Sequence, residues 1–192
     1  AKVDTSNSQD QHLPFTGGWF VYLSYELIGQ IEPTLAKDMH DSKLPIAVAV
    51  KIPSAIIVDH QLDKTYLLDE EGDQPRIEQI LKDIETIKPV KVPNFSGALS
   101  CEMDDKFLSG VKKIKDYILA GDVFQVNLSR AWQYALDHDC SAAQLYSALK
   151  QSNPAPFSAL AQFQQFSIIS SSPERLFSVQ GDTIETRPIA GT

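Results

Sequence analysis

The sequence predicts an α+β fold in which antiparallel sheets carry packed helices. Three observations lead there. Runs rich in β-branched and aromatic residues recur along the chain, with hairpin-type turns between them. Three segments with helical apolar spacing interrupt them. The two kinds of segment do not alternate in the regular strand–helix–strand order that a parallel sheet requires.

Taken in order, residues 1–12 are polar and read as a frayed terminus. Gly17 and Gly18 mark a bend or a close backbone contact, and Trp19 to Tyr25 has strand composition. Residues 30–44 read as a loop or a short helix. Ile46–Val50, Ala55–Asp59 and Thr65–Leu68 read as strands, with His60 to Asp63 as a hairpin turn between the last two. Ile77, Ile80, Leu81, Ile84 and Ile87 share one helical face; Asp73 can cap that helix, Pro75 suits its first turn and Pro89 stops it. Residues 88–97 form a linker with two prolines and a glycine, so the chain divides into a subdomain at 13–90 and a second at 97–192.

The second part opens with a helix over Asp104 to Ala120. Phe107, Val111, Ile114 and Ile118 make a stripe expected to be buried, and Asp104 and Asp105 sit where the helix dipole favours negative charge. Gly121 is a natural end for it. Val123 to Leu136 reads as one long strand. Ser141 followed by Gln144 is a capping box that opens a helix to about Gln151, and Asn153-Pro154-Ala155-Pro156 ends it. Phe157–Phe163, Phe166–Ser170 and Leu176–Val179 read as strands. A turn at Gln180-Gly181-Asp182 then leads into Thr183–Arg187.

Composition limits the function. With 192 residues, 43% of them hydrophobic and 22% charged, the chain can bury a core without staples. A net charge of −8 argues against nucleic-acid and anionic-membrane partners, both of which need basic patches. Cys101 and Cys140 are isolated, with no metal-ligand spacing near them, and read as reduced thiols of a cytoplasmic protein. No apolar run approaches membrane-spanning length.

From chemistry alone the sequence is quiet. It has no phosphate-binding glycine loop, no dinucleotide fingerprint, no zinc-protease helix and no nucleophile elbow. His60 falls in a turn and reads as structural. Glu174, after Ser171-Ser172-Pro173, reads on general grounds as a solvated carboxylate or a partner of Arg175.

Five segments together, however, resemble the chorismate-utilising enzymes: GGWFVYLSYE (17–26), AGDVFQVNLSR (120–130), NPAPFSAL (153–160), SSPERL (171–176) and TRPIAGT (186–192). That family includes component I of aminodeoxychorismate synthase and of anthranilate synthase, and the isochorismate and salicylate synthases. QVNLS and APFSA look most like the aminodeoxychorismate synthase group. Ala190 departs from it. Many members of that group carry a lysine there that is thought to attack the substrate, whereas anthranilate synthases have alanine.

The resemblance implies the chemistry. Chorismate would be aminated at C4 to 4-amino-4-deoxychorismate, the precursor of para-aminobenzoate and folate. Ammonia would come from a glutamine amidotransferase partner. The alternative is amination at C2 with loss of pyruvate, as in anthranilate synthase component I. An alternative of another class is a non-catalytic, tryptophan-binding regulatory piece. Glu174 resembles the acid that protonates the departing hydroxyl. Gly191 and Thr192 resemble the loop that lines the chorismate pocket. Asn153, Pro156 and Phe157 resemble part of a tryptophan pocket set away from that site. The family's Mg²⁺ would be held by carboxylates beyond residue 192, with no metal ligand in this chain. Relatives also continue past TRPIAGT and start earlier. By resemblance this is an N-terminal part without turnover of its own.

Overall fold

The structure is a computed structural model that describes residues 13–35, 44–101 and 103–189. Two compact units divide between Lys88 and Pro89. The fold is α+β as expected: every ladder among the described residues is an antiparallel pair of strands, and helices lie between the pairs.

The first unit begins with β1 (Gly18–Leu23), which pairs with β2 (Ala47–Ile52) in the register Gly18↔Ile52 to Leu23↔Ala47. Between them run a 3₁₀ turn at Tyr25–Leu27, a short α1 (Ile28–Ile31) and a second 3₁₀ turn at Pro33–Leu35. The remainder of the segment read as loop or short helix, 36–43, lies outside the described residues. Gly17 has a φ of +128°, and a side chain there would meet the Glu70 carboxyl at 3.1 Å, which is the close contact the glycine pair announced. Glu70 itself pairs with Lys51 at 2.5 Å.

β3 (Ser54–Asp59) and β4 (Lys64–Asp69) form the expected hairpin. Its turn is local chemistry: the Asp59 carboxylate accepts the N–H groups of Gln61 and Leu62, and Asp63 takes the left-handed conformation at φ 51°. α2 (Gln74–Thr86) starts as read, with the Asp73 side chain accepting the Arg76 N–H and proline in the first turn. Asp69 ties the hairpin to the helix. Its carboxylate accepts from the Ser54 hydroxyl at 2.6 Å, from the N–H groups of Glu71 and Asp73, and from Arg76 Nε at 2.7 Å. The Asp69 side chain is only 1% exposed.

In the second unit, β5 (Gly97–Cys101) pairs with β6 (Trp132–Leu136) across α3 (Asp104–Ala120). Gly121 closes α3 in the left-handed conformation, at φ 79°. α4 (Ala142–Ser152) has the complete capping box of Ser141 and Gln144. It packs on the hairpin of β7 (Phe157–Gln162) and β8 (Ser167–Ser172), whose ends are joined by stacked Phe163 and Phe166 rings 4.6 Å apart. β9 (Ser178–Gln180) and β10 (Thr183–Glu185) form the last hairpin.

Two expectations are corrected. The long strand read over 123–136 is only β6, from Trp132 to Leu136. β5 offers five residues to pair with. The preceding segment does not extend that ladder, and Leu128 instead lies against the helix at Gly110, where a side chain would meet its Cδ2 at 3.2 Å. The α3 stripe is not buried either. Phe107 and Ile114 are half-buried, while Val111 and Ile118 remain 36% and 43% exposed. Among the described residues no hydrophobic side chain is fully buried. The apolar periodicity marks which face seeks cover, not what covers it.

Candidate functional site

The Ser-Pro-Glu motif leaves the end of β8. The Ser172 hydroxyl accepts the Glu174 N–H at 3.3 Å and donates to the Glu174 carbonyl at 3.1 Å, a side-chain turn that bends the chain at Pro173. The chain then enters the β9–β10 hairpin, whose ladder runs Gln180↔Thr183, Val179↔Ile184 and Ser178↔Glu185. Gly181 supplies the positive φ of 57° that its tight turn requires.

Past the ladder the two arms stay together. The Thr186 hydroxyl donates to the Leu176 carbonyl at 3.0 Å, and the Ile189 N–H donates to Glu174 Oε1 at 3.3 Å. So the hairpin places the Glu174 carboxylate against the backbone of the TRPIAGT segment. Glu174 is exposed. Ala190, Gly191 and Thr192 lie outside the described residues, and Ile189 is the last described residue before them. Chemically, an exposed carboxyl group with an open lone pair can hold or pass a proton to a group brought beside it.

The other candidate residues fall close by. Asn153 ends α4, its N–H donating to the Leu149 carbonyl at 2.8 Å, and its own carbonyl accepts the Ser171 hydroxyl. The Ala155 carbonyl accepts the Ser158 hydroxyl at 2.8 Å, which shapes the turn around Pro156. Phe157 opens β7 and pairs with Ser172, and the Arg175 guanidinium lies over its ring at 5.2 Å. The Asn153–Phe157 segment, read as part of a site set apart, therefore starts beside the strand end that carries Glu174. Arg175, read as a possible ion partner of Glu174, stacks on Phe157.

Sequence reasoning passed over Arg130. Its side chain is 18% exposed, donates to Cys101 Sγ at 2.9 Å and to the Asp104 carboxylate, and lies over the Trp132 ring at 4.5 Å and the Phe107 ring at 5.8 Å. Contact with Cys101, and then with Asp104, pushes its pKa above the ordinary guanidinium value. Arg130 thereby joins the end of the QVNLSR motif to β5, β6 and the start of α3. The signal was an arginine two residues before a strand tryptophan, a pattern that becomes a cage only when β5 brings Cys101 opposite Trp132.

Among the described residues no group of three or more His, Cys, Asp or Glu side chains is placed to hold a metal ion. No described helix is long and apolar enough to cross a membrane.

Comparison with known proteins agrees with the resemblance. The family described as chorismate binding enzyme matches residues 1–192. An anthranilate synthase component I-like protein of Synechocystis is 31% identical over 99% of this chain and 39% of its own length. Aminodeoxychorismate synthase component 1 of Bacillus subtilis is 34% identical, over 93% of this chain and 40% of its own length. Anthranilate synthase component 1 of the same organism is 29% identical over 94% and 40%. The chain thus spans about two fifths of the length of these relatives. Anthranilate synthase component I from Streptococcus pneumoniae has the same fold, with a TM-score of 0.74 at 22% identity over 95% of this chain and 43% of that one.

Proposed function

We propose a function from one premise: the chain belongs to the chorismate binding enzyme family, whose pattern it matches over residues 1–192. The reaction is amination of chorismate at C4 to 4-amino-4-deoxychorismate, with ammonia delivered by a glutamine amidotransferase partner. The supporting observation is the Glu174 carboxylate seated against the Ile189 N–H, at the edge of the segment that carries Ala190, Gly191 and Thr192. Hydroxide is a poor leaving group. Glu174 in its acid form gives the C4 oxygen a proton as the C–O bond breaks, so that water departs while ammonia forms the new C–N bond and loses a proton. Ala190 carries no nucleophile, so ammonia displaces the hydroxyl without a covalent enzyme adduct at that position. Gly191 and Thr192 would offer a backbone N–H and a hydroxyl to a substrate oxygen.

A second reading is 2-amination with loss of pyruvate, giving anthranilate. Ala190 favours it; the QVNLS and APFSA segments favour the first.

The test uses the protein at its full encoded length with chorismate, an ammonium salt and Mg²⁺, which by the family resemblance would be held by carboxylates beyond residue 192. The expected product has the mass of 4-amino-4-deoxychorismate and yields para-aminobenzoate when a lyase is added. Fluorescent anthranilate with released pyruvate would replace the first reading by the second. Absence of any aminated product under these conditions would overturn both.

A further inference from the structure

The ladder of the last hairpin has a register that continues beyond its hydrogen-bonded strands. In each pair from Gln180↔Thr183 to Ser178↔Glu185, one residue steps back as the other steps forward. Carried on in the same steps, that register sets Glu174 opposite Ile189, where the carboxylate-to-N–H bond is found. Yet the strands end at Ser178 and Glu185. Pro188 has no N–H to extend the ladder on its side. Between the ladder and Glu174, the Thr186 hydroxyl on the Leu176 carbonyl is the bond that joins the two arms. The side chain does there what a main-chain pair does inside the ladder. Both arms are exposed, so packing does not substitute for that bond: Leu176 is 81% and Ile189 60% exposed.

We propose that Thr186 is a positioning residue for Glu174, its hydroxyl holding the SPERL arm in register with the TRPIAGT arm so that the Glu174 carboxylate meets the Ile189 backbone beside the substrate-lining segment. This rests on the reading of Glu174 as the proton donor. Thr186 itself touches no reacting atom. Its loss removes the bond that joins the two arms between the ladder and Glu174, and lowers the fraction of enzyme in which the acid stands where the hydroxyl departs.

The test is a set of variants in the full-length enzyme, scored on whichever aminated product it forms. Thr186→Val removes the hydroxyl and keeps the side chain's shape; its kcat should fall about fivefold, the rate equivalent of one net hydrogen bond, with KM unchanged. Thr186→Ser should restore kcat. In a Glu174→Gln background Thr186→Val should lower kcat by less than about twofold further, because both changes act through one group. Thr186→Ala repeats the test should valine disturb folding. An unchanged kcat in Thr186→Val, a loss confined to KM, or no rescue by serine would overturn the positioning role while leaving Glu174 as the acid. Full activity in Glu174→Gln would instead remove the acid, and the inference with it.

Discussion

Asp69 and Glu174 both stand where the chain leaves a hairpin at the end away from its turn, Asp69 as the last residue of β4 and Glu174 two residues past β8, and their surroundings are opposite. Asp69, in the first unit, is enclosed by Ser54, Arg76 and the backbone N–H groups of Glu71 and Asp73. The Arg76 guanidinium first, and the Ser54 hydroxyl second, hold its carboxyl well below the usual carboxylate range. Arg76 also reaches Glu71 at 2.9 Å and Asp73 at 3.7 Å. Glu174, in the second unit, stands exposed with the Ile189 N–H on one oxygen. A carboxylate surrounded by donors is held ionised through the ordinary pH range and serves as a joint. One with an open oxygen can exchange a proton with a ligand. The same functional group thus becomes scaffold or candidate acid according to how many donors the turn supplies.

The largest effect expected from breaking this contrast is at the open carboxylate. Glu174→Gln should lower kcat for amination about 10³-fold while leaving the thermal midpoint nearly unchanged, read by product assay and by calorimetry on the same preparation. Asp69→Asn should do the reverse. It leaves the Arg76 guanidinium without its bidentate partner, and the thermal midpoint should drop by roughly 5–10 °C with little change in kcat.

Acid titration sharpens the same point. Because the folded Asp69 is depressed below its unfolded value of about 4, its contribution is fully present above that value. It is lost progressively as pH falls below about 4 towards the still lower folded pKa. Denaturant midpoints measured between pH 6 and 2 should therefore fall more steeply for the unaltered protein than for Asp69→Asn. The smallest expected effect lies away from both carboxylates. Ser141→Ala removes the α4 capping box and should cost about 1 kcal/mol in chemical denaturation, with no change in kcat.

What could be read from residues was chemistry that closes within a few positions. The Asp73 and Ser141 caps, the His60–Asp63 turn, the left-handed end of α3 at Gly121 and the Gly181 turn all stand where they were expected. In each, the donor and acceptor lie at most four residues apart, so no distant partner can move them. The strand over 123–136 failed for the converse reason. Strand composition is satisfied only where a partner strand exists, and β5 is as short as β6. The Arg130 cage was illegible because Cys101 and Asp104 lie more than twenty-five positions away in sequence.

By itself, then, the sequence determined the α+β class, the positions of α2, α3 and α4 and of the β3–β4 and β9–β10 hairpins, and through five motifs the chorismate binding family; it placed no strand at β5. These depend on local hydrogen bonding, apolar periodicity and residue identity. The tertiary structure alone decided that β1 pairs with β2 and β5 with β6, that Asp69 becomes a sealed joint, that Phe157 carries Arg175, and that Glu174 faces Ile189 across the final hairpin. Those outcomes depend on register and on partners remote in sequence. A one-residue slip of register would exchange every facing pair without altering a single local preference.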